Sequence, residues 1–360
     1  MSHSITRLYG LGLTPGKLRG LQRISNPNGT LTMVATDQNS SMMSMMKKAT
    51  GTDATYAEIA DAKVMLSRAL APHCSGLLVD GYYGYCSTVA ANAVPGGTGI
   101  LIRVEKSGAT KNAAGAPCGE VEPGWGVHKI KRCGADAVKL LAQFEPDEFD
   151  SAERNFEFTK TIYEQCIEHD ILFLLEPIHF PYHIKGKEET KDAVAARKAN
   201  TVIESARILS RYCDVYKAEF PGTMGVESDA VLMDNLKKLN DVCVKPWVLL
   251  SAGVDYPVYK KQVEMAMKAG ASGILGGRAF WKEFFTYTTP AERQKFAETE
   301  CVARVTETDK IVQTGTPWFA KYGYSQADLN EIRAGEGWHA RYSGGTASGP
   351  AGKVDPNAVY

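Results

Sequence analysis

Short runs of apolar residues recur along this chain, and stretches with the apolar spacing of amphipathic helices lie between them. The eight runs cover residues 31–37, 76–80, 99–105, 135–141, 171–177, 214–221, 247–251 and 273–277. The clearest helical stretches cover residues 56–71, 153–169, 193–211 and 256–269. Continuous apolar strands that alternate with helices are typical of a parallel sheet with both faces covered.

Eight strand–helix units over about 250 residues predict a (β/α)8 TIM barrel, in the α/β class. A doubly wound open sheet is the alternative, but it would carry a GxGxxG turn after an early strand, and the sequence has none. We assign residues 1–330 to a single barrel domain and residues 331–360 to a C-terminal extension, either an arm that docks on a neighbour or a loose tail. Within the barrel domain, residues 107–126 are predicted to form a long loop and residues 282–330 to be helical.

Charged residues inside the apolar runs are the main clue to function. Lys139, Glu176 and Lys217 lie inside the fourth, fifth and sixth runs. Burying a charged side chain is costly unless it is paired or neutralised. A structural ion pair would explain one such residue. Two lysines and a glutamate on three successive strands indicate a site that handles a carbonyl compound.

Polar residues also stand at or just past the predicted C-terminal ends of the strands, where the active sites of this fold form. They are Asp37, Asp80, Glu105, Glu176, Ser251 and Arg278. Of these, Asp80 and Glu105 are expected to be structural rather than catalytic.

A neutral lysine amine attacks a ketone and forms an iminium, which takes up the electrons of a neighbouring carbon–carbon bond as it breaks. We assign the amine to Lys217 and the proton shuttle to Glu176. Lys139 is the neighbouring cation that favours the neutral amine, and Asp37 is the base for the hydroxyl that becomes the aldehyde. The structural alternatives are a Lys139–Glu176 ion pair and a helix cap by Asp37.

This chemistry requires neither a metal nor another cofactor. His179 and His183 have ligand-like spacing, but Pro181 between them argues against a regular helix and therefore against a metal site.

A phosphate site is predicted after the seventh and eighth strands. Ser251 and Gly253 open one loop there, and Gly277 and Arg278 open the other. Glycines let an oxyanion approach backbone N–H groups, and arginine adds a bidentate partner. Many barrels hold phosphate at this position. Ordinary glycine turns beside a surface arginine are the alternative.

Composition narrows the function classes. The formal net charge is zero and the pI is about 7.0, which argues against a nucleic-acid partner. No apolar run reaches the length of a membrane span, and the N-terminus lacks the apolar core of a signal peptide. The eight cysteines stand singly, which favours free thiols in a reducing cytoplasm.

Several segments between about residues 21 and 281 together resemble the class I tagatose-1,6-bisphosphate aldolase family. They are Ile24-Ser25-Asn26 with Gly29, Ala35-Thr36-Asp37-Gln38, Ala135-Asp136-Ala137-Val138-Lys139, Leu175-Glu176-Pro177, Tyr216-Lys217-Ala218-Glu219-Phe220-Pro221, Leu250-Ser251-Ala252-Gly253-Val254 and Gly277-Arg278-Ala279. The related sulfofructose-phosphate aldolases look similar over residues 246–251 and 266–281.

The resemblance implies a (β/α)8 barrel with a Schiff-base lysine at Lys217 and a proton shuttle at Glu176. It also implies substrate contacts by Lys139 and Asp37, with Gln38 beside them. Ser251, Gly253, Gly277 and Arg278 would surround a phosphate. The family's usual Asp-Gln-Arg is Asp37-Gln38-Asn39 here, which leaves the second anionic group of the substrate open.

The sequence therefore predicts a cytoplasmic, metal-independent aldolase that cleaves tagatose or fructose 1,6-bisphosphate to dihydroxyacetone phosphate and glyceraldehyde 3-phosphate. One alternative is cleavage of 6-deoxy-6-sulfofructose 1-phosphate to sulfolactaldehyde. Another is a non-catalytic sugar-phosphate sensor. We expect a small sugar phosphate as the partner, no nucleic acid or membrane, and a homo-oligomer.

Overall fold

A closed barrel of eight parallel strands forms the centre of the computed structural model, which describes residues 5–184, 186–342 and 344. The barrel strands are β1 Leu31–Ala35, β2 Gly76–Asp80, β3 Gly99–Arg103, β4 Ala137–Gln143, β5 Leu172–Ile178, β6 Val215–Ala218, β7 Trp247–Leu250 and β8 Gly273–Gly276. Each strand pairs with its neighbours in the sequence, and β8 closes the barrel on β1. The predicted (β/α)8 barrel is confirmed.

Helices surround the barrel. They are α1 Ile5–Gly10, α2 Pro15–Arg23, α3 Ser40–Thr50, α4 Tyr56–Leu70, α5 Tyr85–Ala90, α6 Val127–Arg132, α7 Phe149–Glu168, α8 Lys191–Leu209, α9 Asp229–Val242, α10 Tyr256–Ala269, α11 Arg278–Trp281, α12 Pro290–Phe296, α13 Val302–Val312, α14 Gln326–Glu331 and α15 Trp338–Arg341. Short 3-10 segments cover Ala71–His73, Ser210–Tyr212, Lys282–Thr286 and Trp318–Tyr322, and a π turn covers Ala297–Cys301.

The lumen of the barrel is apolar at one end and charged at the other. Alternate positions along β6 and just past its end show the change, because Val215 packs in the apolar cluster at the closed end whereas Lys217 and Glu219 line a cavity at the open end. Side chains two residues apart on a strand share a face. Helices α1 and α2 supply Leu8 and Leu21 to the apolar cluster, so the N-terminal end of the barrel is filled.

Outside the barrel, the long segment predicted as a loop at 107–126 contains a small antiparallel hairpin, Thr110–Lys111 with Pro117–Cys118. A second hairpin pairs His183–Ile184 with Lys187–Glu188. Most of residues 282–330 is helical, as predicted. The described part of the C-terminal extension contacts the barrel domain of the same chain, where the Tyr342 hydroxyl donates to Asp170. Residues 345–360 lie outside the described residues.

All eight cysteines are free thiols, and five of them are buried. Among the described residues, the helices contain no segment with the length and apolar character needed to cross a membrane.

Candidate active site

A cavity of about 300 Å³ opens at the C-terminal ends of the barrel strands. Charged and polar side chains line it; they come from β3, β4, β5 and β6, from the segments just past β1, β3, β6 and β7, and from the start of α11. Eight of the nine residues predicted for the site are among those that line it, namely Asp37, Gln38, Lys139, Glu176, Lys217, Ser251, Gly277 and Arg278. The ninth, Gly253, does not line the cavity but packs against Arg278, which does.

Lys139 is held by three carboxylates at the bottom of this cavity. Its Nζ lies 3.1 Å from Asp37 Oδ2, 2.7 Å from Glu105 Oε1 and 3.0 Å from Glu176 Oε2. Only 1% of the residue is exposed, so solvent screens these contacts little. Burial opposes the charge on Lys139, but the three carboxylates outweigh it and raise the pKa of the ammonium above its ordinary value. Lys139 therefore stays a cation.

Lys217 shares one of those carboxylates. Its Nζ lies 2.8 Å from Glu176 Oε1, while Lys139 occupies the other oxygen of the same group. Burial alone would raise the pKa of Glu176, but Lys139 and Lys217 together hold that pKa below its ordinary value. An ionised Glu176 is in contact with the amine from which it would take a proton.

Asp37 presents one bound oxygen and one free oxygen. Oδ2 accepts from Lys139, whereas the buried Oδ1 has no hydrogen-bond partner in the described part of the chain. Burial would favour the protonated form, but Lys139, Lys217 and Arg103 outweigh it and hold the pKa of Asp37 at about 2. A buried acceptor without a partner is costly, so Oδ1 is suited to receive a proton or a hydroxyl from a ligand.

The residues predicted to hold phosphate lie together at one side of the cavity. The backbone N–H of Gly277 donates to Ser251 Oγ at 3.2 Å, which joins the loops after β7 and β8. Ala252 and Gly253 have φ angles of +47° and +76°, so two successive residues adopt the left-handed conformation that favours glycine. A Cβ added at Gly253 would lie 3.0 Å from Arg278 Cζ, because the guanidinium rests directly on that glycine.

Gln38 lies at the edge of the same pocket. A Cβ at Gly277 would come within 3.0 Å of Gln38 Nε2. The buried Oε1 of Gln38 has no hydrogen-bond partner within the described ranges. Gln38 therefore offers an amide to whatever occupies the space between Asp37 and the glycine loops.

Three charged residues of the cavity lining were not predicted as catalytic or binding residues. Glu105 binds Lys139 directly, and burial, which outweighs the nearby cations, raises its pKa. Arg103 is 8% exposed, and its Nη1 donates to the carbonyl oxygen of Asp37 at 2.9 Å. Glu219 binds both the backbone N–H and Nδ1 of His179. Arg103 and Glu219 are charged residues in or directly beside apolar runs, and that signal was visible in the sequence.

Other polar residues at the strand ends do not line the cavity. Asp80 is fully buried against Lys63 at 2.5 Å, in agreement with the structural role expected for it. Asn39, at the position where the resemblance implies an arginine, is turned towards the same pair. His183 lies in the second hairpin, near Gly115.

A parallel barrel that brings a buried lysine against a carboxylate at its strand ends, beside an arginine–glycine pocket, defines a barrel enzyme of the aldolase class. The chain belongs to the DeoC/LacD aldolase family, because the model of that family matches residues 31–283. The resemblance found in the sequence is thereby confirmed.

Individual relatives agree with this membership. A tagatose 1,6-diphosphate aldolase of Listeria monocytogenes serotype 4a is 31% identical over 332 residues, which cover 86% of this chain and 96% of that protein. A protein of the same name from Streptococcus agalactiae serotype V is 29% identical over 331 residues, which cover 86% and 99% of the two chains.

Solved structures share the fold at lower identity. An archaeal fructose 1,6-bisphosphate aldolase has a TM-score of 0.53 at 18% identity, with 81% of this chain and 99% of that chain covered. The fructose-bisphosphate aldolase of Slackia heliotrinireducens has a TM-score of 0.58 at 15% identity, with 83% and 89% covered. At such identities the likeness concerns the barrel itself.

Proposed function

We propose that this chain is a metal-independent, Schiff-base aldolase that cleaves a ketohexose bisphosphate, either tagatose or fructose 1,6-bisphosphate. The observation that carries the proposal is the contact of Lys217 Nζ with Glu176 Oε1 at 2.8 Å inside the cavity. Family membership supports the reaction class, and the relatives named tagatose 1,6-diphosphate aldolase support the substrate class.

The first half of the reaction builds the electron sink. Glu176 takes a proton from Lys217, and the neutral amine attacks the C2 carbonyl of the substrate to give a carbinolamine. Glu176 then returns a proton to the former carbonyl oxygen, which leaves as water, and the C2=N bond of the iminium forms. Lys139 remains charged and keeps Glu176 ionised, so that Glu176 is able to accept this proton, and the lowered pKa makes Glu176 a stronger acid when it returns the proton.

The second half breaks the carbon–carbon bond. Asp37 accepts the proton of the C4 hydroxyl through Oδ1, the C4–O bond becomes a carbonyl, and the C3–C4 pair moves into the iminium as an enamine. The aldehyde leaves as glyceraldehyde 3-phosphate. The proton taken by Asp37 is returned to C3 of the enamine, and addition of water to the resulting iminium then releases dihydroxyacetone phosphate and regenerates the free Lys217 amine and the ionised Asp37.

The pocket formed by Ser251, Gly253, Gly277 and Arg278 binds a phosphate group of the substrate in this proposal. Its support is the close packing of Arg278 on Gly253 and the Gly277–Ser251 hydrogen bond. Gln38 at the edge of the pocket offers a further hydrogen bond to the bound sugar.

Borohydride trapping with dihydroxyacetone phosphate, followed by peptide mass spectrometry, tests the proposal. We expect a reduced adduct on Lys217 and its loss in Lys217→Ala, which should also abolish turnover while it leaves the circular dichroism unchanged. Lys238→Ala is the control, because Lys238 is an exposed lysine on α9 with 59% of its side chain exposed. Substantial turnover by Lys217→Ala, or an adduct elsewhere, would overturn the assignment.

A panel of candidate substrates then shows which sugar phosphate the protein prefers. Tagatose 1,6-bisphosphate, fructose 1,6-bisphosphate and 6-deoxy-6-sulfofructose 1-phosphate are compared by kcat/KM. The proposal expects one or both bisphosphates to be the better substrates. A clear preference for the sulfonated sugar would move the assignment to the sulfofructose-phosphate aldolases.

A further inference from the structure

The backbone that carries Asp37 is held by side chains at four successive carbonyl groups. The four bonds run from Trp281 Nε1 to the oxygen of Ala35 at 2.9 Å, from Lys63 Nζ to Thr36 at 2.7 Å, from Arg103 Nη1 to Asp37 at 2.9 Å and from Lys63 Nζ to Gln38 at 3.0 Å. This segment begins at Ala35, the last residue of β1, and runs to Gln38, past the end of the strand; Thr36 N–H still donates to Leu78 O on β2 at 2.8 Å. Besides that bond, side chains from other elements fix its path.

Lys63 makes two of these four bonds from outside the barrel. It lies on α4, is fully buried, and does not line the cavity. Besides Thr36 and Gln38, its Nζ donates to Asn39 Oδ1 at 2.9 Å and to Asp80 Oδ1 at 2.5 Å. An ammonium has three N–H groups, so the protein alone uses all of them. Lys63 is thus unable to act on a substrate directly.

Asp80, the ion-pair partner of Lys63, connects this segment to the end of β2. Asp80 ends β2, and its Oδ2 accepts from the backbone N–H groups of Tyr82 and Tyr83 at 3.0 and 2.7 Å. The Lys63–Asp80 pair therefore ties the end of β1 to the end of β2. A buried ion pair gives little net stability compared with apolar residues of similar size. The role of this pair that matters here is therefore that it holds the backbone of both strand ends in one geometry.

We propose that Lys63 is a positioning residue for Asp37: by binding the carbonyl groups on either side of Asp37, it fixes the place of the free Oδ1 oxygen that accepts the substrate proton. The inference rests on the proposed function. Oδ2 of Asp37 is already bound by Lys139, so the place of Oδ1 depends on that contact and on the backbone. A misplacement of about 1 Å in such a group costs roughly 100-fold in rate.

Two partial reactions separate this role from a general loss of structure. Trapping of dihydroxyacetone phosphate on Lys217 needs Lys217 and Glu176 but not the base for the C4 hydroxyl. Cleavage of the bisphosphate needs all three. For Lys63→Met, we expect kcat for cleavage to fall by about 10- to 100-fold, while the rate of borohydride trapping stays within about twofold of wild type. Asp37→Asn should show the same division.

A double-substitution cycle then tests the coupling. If Lys63 acts through Asp37, adding Lys63→Met to Asp37→Asn causes no further loss of kcat, because the group that it positions is already gone. Where Lys63→Met fails to fold because Asp80 is left unpaired, Lys63→Met with Asp80→Asn removes both charges and still frees the two carbonyls. Lys17→Met with Asp214→Asn is the matched control, since that pair is equally buried at the opposite end of the barrel.

Four outcomes would contradict the proposal that Lys63 positions Asp37. Unchanged kcat in the Lys63 variants, parallel losses of trapping and cleavage, additive losses with Asp37→Asn, or equal losses in the Lys17 control would each overturn it. Failure of the proposed function is seen separately, as the absence of a Lys217 adduct in the wild-type protein, and it would overturn this inference as well.

Discussion

Lys139 governs the charges of its neighbours in the cavity. The sequence suggested it as the cation that favours the neutral amine of Lys217. The structure adds that Lys139 also lowers the pKa of both Asp37 and Glu176 against the effect of burial. Removing a partner from a buried ionic cluster typically costs 3–5 kcal/mol. Each carboxylate that stays ionised here should therefore contribute to stability as well as to catalysis.

The pH dependence of stability tests this at Asp37. Its folded pKa is about 2, below the ordinary value of 3.8, so its contribution is present above about pH 4 and is lost as the pH falls towards 2. The shift corresponds to about 2 kcal/mol. We expect Asp37→Asn to be less stable than wild type at neutral pH, and the gap to narrow between pH 4 and 2. Urea unfolding, monitored by circular dichroism at several pH values, measures the difference in the free energy of unfolding between the two proteins. A difference that does not change with pH would show that the charge of Asp37 does not contribute to stability.

Among the structural elements, the loop after β7 requires a residue without a Cβ at position 253. Gly253 has a φ angle of +76°, and Arg278 Cζ lies 3.0 Å from the position that a Cβ would take. A residue with a side chain at this position would be strained and would displace the guanidinium.

Gly253→Ala should therefore raise KM for a phosphorylated substrate by about 10-fold, equivalent to about 1.4 kcal/mol, with a smaller effect on kcat, since the phosphate lies away from the breaking bond. Arg278→Ala should act in the same direction. Gly51→Ala is the control: Gly51 has nearly the same φ angle of +79°, but nothing lies within 4 Å of the added Cβ. Equal changes in KM for the two glycine variants would show that Arg278 is not involved.

The elements themselves could be predicted because each strand is a short apolar run. The sixth run at 214–221 is longer than β6 at Val215–Ala218, because the apolar residues Phe220 and Pro221 follow the strand and extend the apolar pattern past its end. Lys63 could not be found in this way. It lies within an amphipathic helix, where a lysine usually faces solvent, and its partner Asp80 belongs to another element. Arg103 carried the same signal as Lys139, a charge inside an apolar run.

At the scale of the whole molecule, a single carboxylate joins both ends of the described chain. Asp170 precedes β5 at the closed end of the barrel and accepts from Thr14 Oγ1, from the backbone N–H of Gly16 and from Tyr342. Burial opposes its ionisation, but these bonds hold the pKa of Asp170 below its ordinary value. The C-terminal extension thus docks on its own barrel through Tyr342.

Tyr342→Phe should lower stability by about 1 kcal/mol and leave kcat unchanged, because the bond lies at the end of the barrel opposite the cavity. The matched control is Tyr324→Phe. Tyr324 is 6% exposed, and its hydroxyl has no hydrogen-bond partner among the described residues, so its removal should not destabilise the protein. Thermal unfolding of the two variants gives the comparison, and an equal fall in Tm would refute the role of the Asp170 bond.

The junction at Asp170 also decides how the protein can be anchored in an experiment. Because α1, α2 and Tyr342 gather at the N-terminal face of the barrel, an attachment made beside Thr14 or Tyr342 turns the opposite face outward. On a sensor surface coated in that way, the mouth of the cavity points into the flowing solution. Sugar phosphates would then reach Lys217 without crossing the coated layer.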